Sequence, residues 1–93
     1  MVHAYVQLTI DNPEKFEAYR AKAGDALAKH GAQVLQSSRD VSAIDGAPTL
    51  SQVGVILAFA DKAAALAWIN DPELAETHEL RRAAGRCDIT LLG

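Results

Sequence analysis

From Val2 to Ile10 every second residue is apolar. Val2, Ala4, Val6, Leu8 and Ile10 fall on one side, and His3, Tyr5, Gln7 and Thr9 on the other. Side chains alternate across a β-strand, so a period of two held over nine residues specifies a strand with one apolar face. A sheet containing it must be covered on that face by another layer.

The next segment changes period. Asn12 can cap free backbone N–H groups, Pro13 suits the first helical position, and Glu14 favours the positive helix end. Phe16, Tyr19, Ala23, Ala26, Leu27 and His30 then recur at three- and four-residue steps, the stripe of an amphipathic helix. Gly31 is placed to end it. His30, in the last turn, complements the helix dipole as a cation.

Residues Ala32 to Ile44 read as a second strand, with a bulge or bend expected in the polar stretch Gln36 to Asp40. Asp45-Gly46-Ala47-Pro48 is a turn signal. Gln52 to Phe59 alternates again as a third strand. Asp61 caps a helix from Lys62 to about Ile69, and Asn70-Asp71-Pro72-Glu73 starts a further helical piece that places Leu74, His78 and Arg81 on one side. Gly85 ends it, and Cys87 to Leu92 is the last strand.

Strand, helix, strand, strand, helix, strand is the split βαβ order of the ferredoxin-like α+β folds: βαββαβ, with a four-stranded antiparallel sheet. A single domain over 1–93 is expected. The helices then cover one sheet face and leave Ile56 and its strand neighbours on the other. An apolar face of that kind predicts pairing of two sheets into a homodimer.

Composition narrows the function classes. The net charge is −3 with no basic cluster beyond Arg81-Arg82 and Arg86, so nucleic-acid binding has no electrostatic footprint. No apolar run approaches the ~20 residues of a membrane span, and no signal-peptide pattern opens the chain. A single cysteine, Cys87, excludes an intrachain disulfide and fits a reducing, cytoplasmic setting. Its strand neighbours Ile89 and Leu91 make it a buried, inert thiol. No metal-binding spacing links His3, His30 and His78, and no phosphate loop or nucleotide fingerprint is present; no cofactor is predicted.

A family resemblance rests on Ala4-Tyr5-Val6, on Asn12-Pro13-Glu14 with Tyr19, and on His30-Gly31, Gly46 and Phe59. It continues through Ala67-Trp68, Asp71-Pro72-Glu73, Leu80-Arg81 and Ala83-Ala84. In these residues, along nearly its whole length, the chain resembles the family known as domain of unknown function 1330, within the dimeric α+β barrel superfamily. The resemblance implies ferredoxin-like protomers whose sheets pair across a two-fold axis. The superfamily spans cofactor-free monooxygenases, isomerases, dehalogenases, haem enzymes and binding modules, so chemistry stays open. The chain departs from the family pattern at Ala32, Ser37, Ala60, Ile69 and Leu74, where a glycine, an arginine, a proline and two tyrosines are usual.

Arg81 is the leading candidate for a ligand-binding or catalytic residue, because a guanidinium holds a carboxylate or phosphate through two parallel hydrogen bonds. The alternative is an exposed arginine paired with Glu76 or Glu79. His78, one turn earlier, is the candidate general base, against a plain exposed histidine. Tyr5, Tyr19 and Trp68 are candidate ligand-binding residues, against a hydroxyl satisfied across the dimer interface for Tyr5 and core packing for Tyr19 and Trp68. Three functions follow: a dimer binding a small aromatic or carboxylated molecule between helices and sheet, a cofactor-independent monooxygenase, isomerase or decarboxylase using the same pocket, and a ligand-free structural or regulatory dimer.

Overall fold

The computed structural model describes residues 1–93. The strands are β1 (Val2–Ile10), β2 (Gln33–Ser38), β3 (Val53–Phe59) and β4 (Gly85–Leu92). The helices are α1 (Pro13–Lys29), α2 (Lys62–Asn70) and α3 (Ala75–Ala84), with a 3-10 turn at Pro72–Leu74 leading into α3. The strands form one sheet in the order β2-β3-β1-β4, every pairing antiparallel. The ferredoxin-like order read from the sequence is the order observed.

Local chemistry sets the helix starts. Asn12 Oδ1 accepts from Lys15 N at 3.2 Å, and Asp61 Oδ1 accepts from Ala64 N at 2.8 Å. Asp71 Oδ1 accepts from Glu73 N at 2.9 Å, so Asp71 rather than Asn70 caps the last helical piece. The other carboxylate oxygen of Asp71 meets His30 Nε2 at 2.8 Å and Lys29 Nζ at 2.7 Å. The end of α1 is thereby clamped to the start of the 3-10 turn. Lys29, then His30, hold the Asp71 carboxyl well below the usual carboxylate range. His30 therefore makes a specific tie beyond the dipole complement its position suggests.

The second strand is shorter than its composition suggests. It ends at Ser38, because Asp40 N donates to Ser38 Oγ at 3.0 Å. That local bond takes the backbone out of the ladder. The bulge falls between Val34 and Gln36, earlier than expected.

Ala4, Val6 and Leu8 of β1 and Val53, Leu57 and Phe59 of β3 are buried against the helices. The core divides in two. One cluster includes Phe59, Trp68, Leu27 and Leu74. A smaller one holds Leu8, Phe16, Val53 and Ala84. The opposite sheet face is mixed rather than apolar. Ile56 pairs with Tyr5 and Gln36, while Gln7, Thr9, Arg86 and Asp88 lie along β1 and β4. Ile56 is half-buried and Ala58 buried, so the broad apolar patch inferred around Ile56 is reduced to Tyr5, Ile56 and the exposed Leu92.

Candidate functional site

The gap between the two core clusters is a cavity of about 160 Å³. Val6, Leu8, Val53, Val55 and Leu57 form its floor, and Phe16, Tyr19, Ala23 and Leu27 of α1 its roof. The α1 stripe explains the gap. Ala23 stands between Tyr19 and Leu27, and a methyl group leaves space where a larger side chain would reach the sheet. Val34 and Ser37 of β2 contribute to one wall and Arg81 of α3 to the other. The polar groups in this apolar lining are Tyr19, Ser37, Arg20 and Arg81; both charged ones are cations. Arg20 and Arg39 also lie over the Phe16 ring, at 5.8 and 5.7 Å from its centroid.

Arg81 is 3% exposed, and it forms no salt bridge. The expected acidic partners are taken: Glu76 binds Lys22 Nζ at 2.9 Å and Glu79 binds Arg82 Nη1 at 2.9 Å. Arg86 pairs with Asp88. Arg82 and Arg86 are thus the exposed, paired arginines of a solvated surface, and Arg81 is the buried one. One guanidinium nitrogen, Nη1, donates to His78 Nδ1 at 2.5 Å. Its Nε–H is buried with no partner. A buried, unneutralised cation is costly, and an unpaired buried donor adds to the cost.

His78 is 2% exposed. Its Nε2 lies 2.9 Å from the Trp68 carbonyl oxygen. A carbonyl only accepts, so Nε2 carries the proton and Nδ1 is the acceptor for Arg81. The ring is a neutral imidazole with both nitrogens engaged. Burial, with Arg81 next to it, lowers its pKa, opposed by the bond to Trp68. It does not line the cavity, and Arg81 already occupies the lone pair a general base would use. Trp68 stands edge-on to His78, centroids 4.8 Å apart, with its ring 5.6 Å from the Arg81 guanidinium carbon. Its own cavity surface belongs to a separate apolar hollow with Phe59, Leu66 and Ile69.

Of the candidates, Tyr19 and Arg81 therefore meet in one cavity. His78 and Trp68 stand behind Arg81. Tyr5 is on the other sheet face, with its ring across Gly54: a Cβ there would lie 3.3 Å from Tyr5 Oη. Burial raises the Tyr19 pKa and the charge of Arg81 opposes the rise. The same balance acts on Cys87. The sequence does not single out Arg20, and it places Phe16 and Leu27 only on the apolar stripe of α1. Nothing in their spacing marks a cavity. No cluster of His, Cys, Asp or Glu is arranged to hold a metal ion.

The family model for a domain of unknown function, DUF1330, matches residues 2–93. The chain belongs to the DUF1330 family. Solved structures on the same fold include a protein of unknown function from Rhodopseudomonas palustris, with 19% identity and TM-score 0.76 over 98% of this chain and 79% of that one. A dimeric ferredoxin-like protein of unknown function from Jannaschia sp. CCS1 matches with 15% identity and TM-score 0.72, over 99% of this chain and 97% of that one. SnoaB, a cofactor-independent oxygenase from Streptomyces nogalater, matches with 16% identity and TM-score 0.67, covering 99% and 90%. These likenesses establish the shared fold. No curated protein matches the chain. In the DUF1330 chain no helix is long and apolar enough to cross a membrane.

Proposed function

We propose that this DUF1330 protein binds a small carboxylated molecule with an apolar or aromatic body in the cavity between α1, α3 and the sheet. The supporting observation is Arg81, a buried guanidinium without an acidic partner and with an unpaired Nε–H, set in an apolar cavity wall. A carboxylate there would supply the missing counter-charge and acceptor. The apolar lining would take the body of the ligand and Tyr19 would offer a hydroxyl. Benzoate, phenylacetate and hexanoate are expected to raise the melting temperature with the logarithm of ligand concentration above the dissociation constant, by mass action. Their neutral amides are expected to leave it unchanged. Equal shifts from acids and amides, or none from either, contradict the proposal.

The fold shared with a cofactor-independent oxygenase supports a second reading, catalysis in the same cavity. With both His78 nitrogens engaged, such a substrate would have to arrive already ionised. Oxygen uptake with each stabilising ligand tests it.

We also infer a homodimer formed through the open sheet faces, supported by the dimeric neighbour and by Tyr5, Ile56 and Leu92 on that face. The native protein is expected to sediment as a dimer at micromolar concentration. Ile56→Asp buries an unpaired charge in such an interface and is expected to yield monomers. A native monomer contradicts the pairing.

A further inference from the structure

We propose that His78 is the positioning residue of this anion site, holding the Arg81 guanidinium through its Nδ1 lone pair so that the cavity is set for monocarboxylates. The inference rests on the binding reading above and assigns the device that sets its geometry. An arginine has several rotatable bonds, and an unneutralised buried guanidinium gains by swinging toward water. Here the cavity lining includes half-buried Tyr19 and exposed Arg20, so the cavity reaches the surface and a route outward exists. Two contacts oppose it. Nη1 is held by His78 Nδ1, and the guanidinium lies over the Trp68 ring. The His78 contact works only for one tautomer. The Trp68 carbonyl fixes that tautomer by accepting from Nε2–H. Backbone of α2 thus orients an imidazole of α3, which orients a guanidinium in the cavity wall. Both remaining features fit a ligand carboxylate: the unpaired Nε–H and a lining without a competing acid. A pre-held guanidinium loses less freedom on binding than a mobile one.

The test separates the two ring nitrogens. His78→Asn keeps an acceptor near the place of Nδ1. His78→Gln keeps a polar group near Nε2 and removes that acceptor, and His78→Phe removes both. Benzoate affinity is measured by calorimetry for each, with folding confirmed by the fluorescence of Trp68. The Asn variant is expected to bind within a few-fold of the native protein, and the Gln and Phe variants to bind about tenfold more weakly or worse. Equal weakening of Asn and Gln, or native affinity in Gln and Phe, overturns the positioning role. Arg81→Met distinguishes this failure from that of the binding reading. If Arg81→Met binds benzoate like the native protein, or the native protein binds none, the anion site itself is contradicted and His78 has nothing to position. If Arg81→Met loses binding while Gln and Phe keep it, only the role of His78 falls.

Discussion

Gly85→Ala is expected to cost the fold about 3 kcal/mol or more, measured by denaturant unfolding. Two causes act together. Gly85 has φ 155°, a conformation that residues with a Cβ rarely adopt. A Cβ there would also lie 1.8 Å from the Thr9 carbonyl oxygen and 3.0 Å from Asp11 N. That contact is between two backbones, so no side chain can yield. Moving the segment breaks further bonds, because the Ala84 carbonyl accepts from Asp11 N at 2.8 Å and Asn12 N at 3.0 Å. These bonds join the end of α3 to the turn between β1 and α1. A domain of this size has about 5–15 kcal/mol in all, so the variant approaches the threshold of folding. Gly24→Ala is the control. It lies within α1 with nothing within 4 Å of its Cβ position, and is expected to gain about 0.5–1 kcal/mol. A Gly85→Ala protein within 1 kcal/mol of native, by the same ~1 kcal/mol standard, contradicts the close-approach account.

Arg81→Met is expected to reduce affinity for benzoate about a hundredfold while leaving stability within about 1 kcal/mol of native, or raising it. The two halves have one cause. In the unliganded protein Arg81 is buried with no carboxylate, so removing its charge relieves a desolvation cost. Against this, His78 Nδ1 loses its donor, which costs about 1–3 kcal/mol for a buried acceptor. Methionine has similar length and fills the space flexibly. Combining it with His78→Phe removes donor and acceptor together and is expected to be more stable than Arg81→Met alone. A structural arginine behaves oppositely. Its loss would destabilise by about 3–5 kcal/mol, as when one member of a buried ion pair is removed. Unfolding curves and calorimetry on the same samples decide between these outcomes.

Much of the fold could be read because it depends on short-range signals. The alternation of β1, the caps at Asn12 and Asp61 and the order of elements are each carried by neighbouring residues. The extent of β2 was not legible, because Ser38 ends it with a side-chain bond to Asp40 rather than with a turn residue. The open sheet face was misjudged from Ile56 alone, since its neighbours across the sheet depend on register. The site was partly legible. Leu74, His78, Arg81 and Ala84 follow the three-and-four spacing of a buried stripe, and all four are buried. The glutamates beside them suggested a solvated arginine instead. Which arginine lacks an acid depends on tertiary distances: Lys22 from α1 takes Glu76. The cavity, a gap between clusters above Ala23, has no signature along the chain.

The most direct measurement is the NMR signal of the Arg81 Nε–H during titration with benzoate, assigned by its absence in Arg81→Lys. That proton is unpaired in the unliganded protein, so a carboxylate at the site must hydrogen-bond it or its guanidinium neighbours. A saturable downfield shift and slower exchange with water are expected, with benzamide producing neither. A signal that stays in place while exposed arginines such as Arg82 respond would place the anion elsewhere and contradict Arg81 as its partner.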